Sequence, residues 1–208
     1  VDNYVEEIRT ALNEAGFHPP YVLMAHSISS VVSEYYAEKY PEEVQAIISL
    51  DGTSTAYYDE MPDFVKKVMV IAKVQQTIGL PSILAPLVVN RNDSLAKGYT
   101  SREINDLVVY SGFSVNDTFL AQMTNNAGFV KQTMEMPFPE SVPYFKIISR
   151  QTYETPNKQI KISPQEYQMQ HLERIGGHAE YEILDGTHFI YLNNVDRIVE
   201  ITDEFLSR

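Results

Sequence analysis

Four short strand-like runs constrain this chain most: Tyr21–Ala25, Val44–Leu50, Tyr144–Ser149 and Ala179–Leu184, each followed by a segment of helical periodicity. Strands that alternate with helices pair in parallel, because a parallel connection needs a crossover long enough to hold a helix. The pattern therefore predicts an α/β fold with a parallel sheet covered by helices on both faces. In such sheets chemistry collects at the C-terminal strand ends. Ser27, Asp51, the segment 150–154 and His188 each follow a strand there.

The helices are legible from their apolar spacing. Val1, Val5, Ile8, Leu12 and Ala15 form one stripe that ends at Gly16, and Ile28, Val31, Val32, Tyr35 and Tyr36 form a second that stops at Tyr40-Pro41. Ser163-Pro164 opens a helix through Tyr167, His171, Leu172 and Ile175, and a last one carries Val195, Ile198, Val199, Thr202, Phe205 and Leu206. Residues 53–142 contain no convincing strand. Helices open there at Pro62-Asp63, at the capping box Thr100–Glu103 and at Ser114–Asp117. Gln151–Ile162 reads as a loop. The chain divides accordingly into a sheet core, 1–52 and 143–208, and a helical subdomain, 53–142.

Composition removes several functions. With 208 residues the chain can bury a sizeable core, and its net charge of −12 opposes nucleic-acid binding, which depends on cationic side chains. There is no cysteine, so disulfides, thiolate catalysis and cysteine metal sites are excluded, while the compartment stays open between cytoplasm and export. No apolar stretch has the ~18 residues of a membrane span. His18, His171 and His178 sit in loop or helix-surface contexts, and no pair of histidines has metal-ligand spacing.

The run Tyr21-Val-Leu-Met-Ala-His-Ser-Ile-Ser-Ser30 carries an apolar strand straight into a serine, and a helix begins at once. That path lifts a hydroxyl clear of the backbone for attack. A serine hydroxyl needs a base, and the base an orienting carboxylate. His188, after the last strand, faces the same sheet edge. His26 reads as a packing or hydrogen-bonding neighbour. Ser27 as a plain helix N-cap is the structural alternative.

These residues resemble the α/β-hydrolase superfamily. Ala25-His26-Ser27-Ile28-Ser29 is similar to its nucleophile elbow, with Ala25 and Ser29 where glycines are usual; Gly186-Thr187-His188-Phe189 resembles its catalytic-histidine loop, and Lys39-Tyr40-Pro41-Glu42-Glu43-Val44 its link from the elbow helix to the next strand. The helical 53–142 segment stands where that family inserts a cap. The resemblance implies Ser27 as nucleophile, His188 as general base and the Ile28 N–H as an oxyanion donor. It leaves two acids open: Asp51, at the end of the strand after the elbow and favoured by spacing, and Glu154. Either also reads without chemistry, Asp51 as a turn residue before Gly52 and Glu154 as a solvated charge.

The implied activity is cleavage of a carboxylic ester, thioester or amide through an acyl-enzyme, on a small to medium apolar acyl substrate, with no cofactor. The alternative is a non-catalytic ligand-binding or partner-dependent protein on the same fold. The resemblance covers only the C-terminal part of the family fold, and Val1 already lies in a helical pattern. The expectation is that the chain is a fragment of a longer hydrolase. An N-terminal segment of the same protein would then pair beside Tyr21–Ala25, an edge otherwise left open, and supply the second oxyanion donor.

Overall fold

Tyr21–His26 (β1), Val44–Leu50 (β2), Tyr144–Ser149 (β3) and Ala179–Leu184 (β4) form one four-stranded sheet in the order β1-β2-β3-β4, every pair parallel. A computed structural model describes residues 1–57, 63–96, 98–113, 116–157 and 160–208. The predicted helix openers Pro62 and Ser114, and positions 158–159 of the predicted loop, lie outside the described residues. The chain divides into two compact units, Val1–Asp59 with Ala127–Arg208, and Glu60–Asn126.

In the first unit the sheet is covered on both faces, as the buried inner strands require. On one face Val5 of α1 (Asp2–Glu14), Tyr35 and Tyr36 of α2 (Ser29–Lys39) and Ile175 of α9 (Pro164–Ile175) pack on Ile47 and Tyr144. On the other, Ile198, Ile201 and Phe205 of α10 (Val195–Leu206) pack on Ala46, Ile48, Phe145 and Ile147. The odd–even split between Ile47 and Ile48 is the strand period at work. β3 is buried throughout, whereas β1, at the sheet edge, leaves Val22 and Met24 exposed.

The face under α2 and α9 also holds a polar cluster. Glu34, Lys146 and His171 are all fully buried. Glu34 accepts from Tyr144 Oη at 2.8 Å, Thr55 Oγ1 at 2.5 Å and His171 Nε2 at 3.0 Å, and His171 Nδ1 meets Lys146 Nζ at 2.5 Å. His171 is thus no helix-surface residue. It sits one turn before Ile175 on the stripe that faces the sheet. Burial, with the Lys146 charge beside it, lowers the His171 imidazole from its ordinary value near 6.5 to about 4. Between those values the unfolded chain binds the extra proton and the folded chain does not, so stability falls as pH drops through that window. The thermal midpoint of the parent should fall relative to that of His171→Gln between pH 6.5 and pH 4; a difference between the two that acid leaves unchanged over the window contradicts the assignment.

In the second unit α3 (Asp63–Thr77), α4 (Leu80–Val88), α5 (Arg91–Ala96), α6 (Ser101–Phe113) and the start of α7 (Asp117–Met134) contribute helix, with no strand among the described residues. The capping box forms as predicted: Thr100 N–H donates to Glu103 Oε2 at 2.7 Å, and Glu103 N–H to Thr100 Oγ1 at 3.3 Å. α4 and α6 approach closely because Gly112 has no side chain; a Cβ there would lie 2.9 Å from Ser82 Cα. The unit is shorter than the predicted 53–142. Ser54 and Thr55 are buried in the first unit, and Phe138 and Val142 belong to its core.

One further departure bears on the site. The predicted loop at 151–162 begins with a short helix, α8 (Arg150–Glu154). Ser149 ends β3 and caps this helix at the same time, its Oγ accepting from Thr152 N–H at 3.1 Å.

Candidate active site

Ser27 stands between β1 and α2 with φ 57°, and Asp51 follows β2 with φ 46°. Among the described residues these are the only positive-φ residues that are not glycine. Each costs on the order of 1 kcal/mol, and such conformations persist where the surroundings over-determine them. For Ser27 the surroundings are named. Its N–H donates to Leu50 O at 3.2 Å, and its carbonyl accepts from Ser30 N–H at 3.1 Å, Ser30 Oγ at 2.8 Å and Thr53 N–H at 3.1 Å. Ser29 Oγ donates to His26 O at 2.5 Å and accepts from His26 N–H at 3.1 Å, so a serine works where the family pattern prefers glycine. The cap position of α2 belongs to Ile28 and carries no side-chain cap bond. Ser27 Oγ is therefore not spent as an N-cap.

The backbone so arranged brings three side chains into line. His188 Nε2 lies 2.9 Å from Ser27 Oγ, and His188 Nδ1 lies 2.7 Å from Asp51 Oδ2. Asp51 is buried, and its carboxylate also accepts from Ser149 N–H at 2.8 Å, Ser149 Oγ at 3.1 Å and Thr152 Oγ1 at 2.6 Å. A carboxylate only accepts, so Nδ1 carries the imidazole proton and Nε2 is left with a lone pair toward Ser27. Glu154 lies elsewhere: it is exposed and accepts from Arg150 Nη1 at 3.2 Å, one helical turn back in α8. Ile28, at the N-cap of α2, is where helix N–H groups have no intrahelical acceptor.

No family model matches the sequence. Over its full length the chain is 26% identical to an uncharacterized protein, YbdG of Bacillus subtilis (strain 168), and spans 64% of that protein. Among solved structures it is similar to an alpha/beta hydrolase fold protein from Nakamurella multipartita, with TM-score 0.52 and 15% identity over 97% of this chain and 74% of that one. The chain has the α/β-hydrolase fold. A thermophilic esterase from Thermogutta terrifontis (TM-score 0.58, 15% identity, 98% and 70% covered) and a hydrolase from Oleispira antarctica (TM-score 0.59, 16% identity, 99% and 71% covered) are similar in the same way.

Two more residues hold this site in shape. His26 Nε2 donates to the His188 carbonyl at 2.9 Å, and its ring lies 4.6 Å from the His188 ring and 5.1 Å from Tyr191 between centroids. His26 thus fixes the histidine loop from the elbow side. Gly52 allows α2 to approach β2: a Cβ there would fall 2.6 Å from Ser30 Oγ and 2.7 Å from Ser30 Cβ. Gly52→Ala should cost at least about 2 kcal/mol in urea unfolding, since Ser30 is fully buried and cannot swing clear. A cost below half of that would show that the elbow tolerates displacement.

Sequence reasoning missed Ser149 and Thr152 as ligands of the Asp51 carboxylate. The signal was available in part: Ser149 and Thr152 stand three apart, the spacing of an N-cap and its third helical residue. Reading Ser149 only as the end of a strand hid it.

Proposed function

We propose that the protein is a serine hydrolase that cleaves a carboxylic ester through an acyl-enzyme. One observation carries the reading: the Ser27–His188–Asp51 chain of contacts, 2.9 Å and 2.7 Å long. In the reaction Ser27 Oγ attacks the carbonyl carbon while its proton passes to His188 Nε2. Asp51 stabilises the imidazolium through Nδ1–H. The Ile28 N–H donates to the developing oxyanion. Collapse of the tetrahedral intermediate breaks the bond to the alcohol, which leaves with the proton from His188. Water, deprotonated by the same imidazole, then releases the acid and restores Ser27.

Exposed apolar side chains on the helices of the second unit, among them Val70, Ile83, Leu87 and Tyr110, support a helical cap suited to a small to medium apolar acyl group. β1 lies at the sheet edge with Met24 half exposed, which supports pairing with an N-terminal strand of the same protein and a second oxyanion donor from that side. The test is a fluorophosphonate probe together with p-nitrophenyl acetate and butyrate. A hydrolase is labelled at Ser27 and turns over the esters. A ligand-binding protein on this fold takes no label, and that outcome overturns the reading.

A further inference from the structure

Residues 53–55, which follow Asp51 and Gly52, run along the elbow helix and are met there by polar groups. Ser27, Ser30 and Glu34 stand three and four apart, so they share one face of α2 and its entry. Ser27 O accepts from Thr53 N–H at 3.1 Å, Ser30 Oγ lies 3.4 Å from Thr53 O, and Glu34 Oε2 accepts from Thr55 Oγ1 at 2.5 Å. Between them Ser54 N–H donates to Tyr167 Oη of α9 at 3.0 Å. Ser30, Glu34, Ser54 and Thr55 are all fully buried. The turn that carries Asp51 is thus laid on the helix that Ser27 opens.

Glu34 anchors the far end of that turn. Its other oxygen, Oε1, accepts from Tyr144 Oη of β3 at 2.8 Å and from His171 Nε2 of α9 at 3.0 Å. One carboxylate therefore joins α2, β3, α9 and the turn after β2. An apolar side chain at position 34 would fill the same place without the cost of burying a charge, and a valine would pack where Thr55 does. What an apolar pair lacks is direction. Contacts between methyl groups let a helix slide, whereas a charge-assisted hydrogen bond fixes a distance and an angle. The site is sensitive to such sliding. His188 touches Ser27 Oγ at the entry to α2 at 2.9 Å and Asp51 Oδ2 after β2 at 2.7 Å, so a shift of the turn along α2 opens one contact or the other.

We infer that Glu34 is a positioning residue for the Ser27–His188–Asp51 machinery: through Thr55 its carboxylate holds the turn that carries Asp51 against the helix that Ser27 opens. The inference rests on the hydrolase reading above. It gives the buried carboxylate a role in the reaction as well as in packing.

Thr55→Val keeps the shape and removes the hydroxyl that Glu34 grips. Its kcat for p-nitrophenyl acetate should fall about tenfold or more with KM within about twofold, because a small displacement of a positioned group costs rate rather than binding. Thr55→Ser restores the hydroxyl and should keep kcat within about twofold of the parent. A merely structural contact lowers the thermal midpoint of Thr55→Val and leaves kcat per fluorophosphonate-labelled site unchanged; that result overturns the inference.

A second measurement reads the geometry without turnover. In protein carrying 15N-histidine, the Nδ1–H proton of His188, identified by its loss in His188→Gln, resonates at low field while it is bonded to Asp51. That line should move upfield or broaden away in Thr55→Val and stay in place in Thr55→Ser. A line unmoved in Thr55→Val overturns the inference. Should Thr55→Val not fold, Glu34→Gln decides. Its amide oxygen can keep the bonds from Tyr144 and His171, but its N–H groups then face Thr55. Its kcat should fall at least about threefold and the His188 line should move; a kcat and a line like those of the parent overturn the inference. If the parent protein takes no fluorophosphonate label, the hydrolase reading fails on its own, and the His188 line still decides whether the turn held by Glu34 sets Asp51 against His188.

Discussion

Ser27→Ala should abolish fluorophosphonate labelling and lower ester turnover about a thousandfold or more, with little change in stability. The two halves of that expectation have separate physical sources. The hydroxyl contacts His188 Nε2 at 2.9 Å, so in the proposed reaction its removal takes away the attacking atom and the proton that His188 would accept. The elbow itself is held by the backbone of Ser27: its N–H to Leu50 O and its carbonyl to Ser30 and Thr53 survive the substitution. The rival view of Ser27 as a helix cap predicts the reverse, a loss of about 1 kcal/mol with labelling intact. The structure already assigns the cap position to Ile28. Equilibrium urea unfolding beside the labelling assay separates the two views. A labelled Ser27→Ala protein would put the nucleophile elsewhere.

The strands and the helices of the first unit were legible because their signals are local. Apolar runs marked β1 to β4 closely, with only His26 added to β1, and Ser163-Pro164 marked the start of α9, where Ser163 Oγ does accept from Glu166 N–H at 3.1 Å. α4 was harder to see, since it contains Pro86 within the helix. The cluster of Glu34, Lys146 and His171 was not legible at all. Each polar residue lies on a stripe or strand whose neighbours are apolar, and its charge partners come from other elements: Glu34 and His171 are 137 residues apart. Periodicity reports which face a residue occupies. It does not report what waits there. The α8 helix was hidden for a related reason, because Ser149 ends one element and caps the next.

The choice between Asp51 and Glu154 shows the same limit, and it yields the second large expected effect. Both residues follow strands at the correct sheet edge, so spacing alone cannot choose between them. The structure sets the Asp51 carboxylate 2.7 Å from His188 Nδ1 and turns Glu154 toward Arg150. Asp51→Asn should therefore lower kcat about ten-thousandfold, and Glu154→Gln should change it less than about twofold. The reason is the proton on the ring. The asparagine oxygen can take over the bond from Ser149 N–H, but its amide nitrogen, in the place of Oδ2, then presents N–H groups toward His188 Nδ1. The imidazole answers by moving its proton to Nε2, where it faces Ser27 and can no longer accept the hydroxyl proton. Stability should change little, because the Thr152 hydroxyl can reverse its bond to the amide while Ser149 Oγ keeps its bond to Thr152 Oγ1. Steady-state kinetics of the two variants on p-nitrophenyl butyrate make the comparison, and a large loss in Glu154→Gln with none in Asp51→Asn would reverse the assignment of the acid.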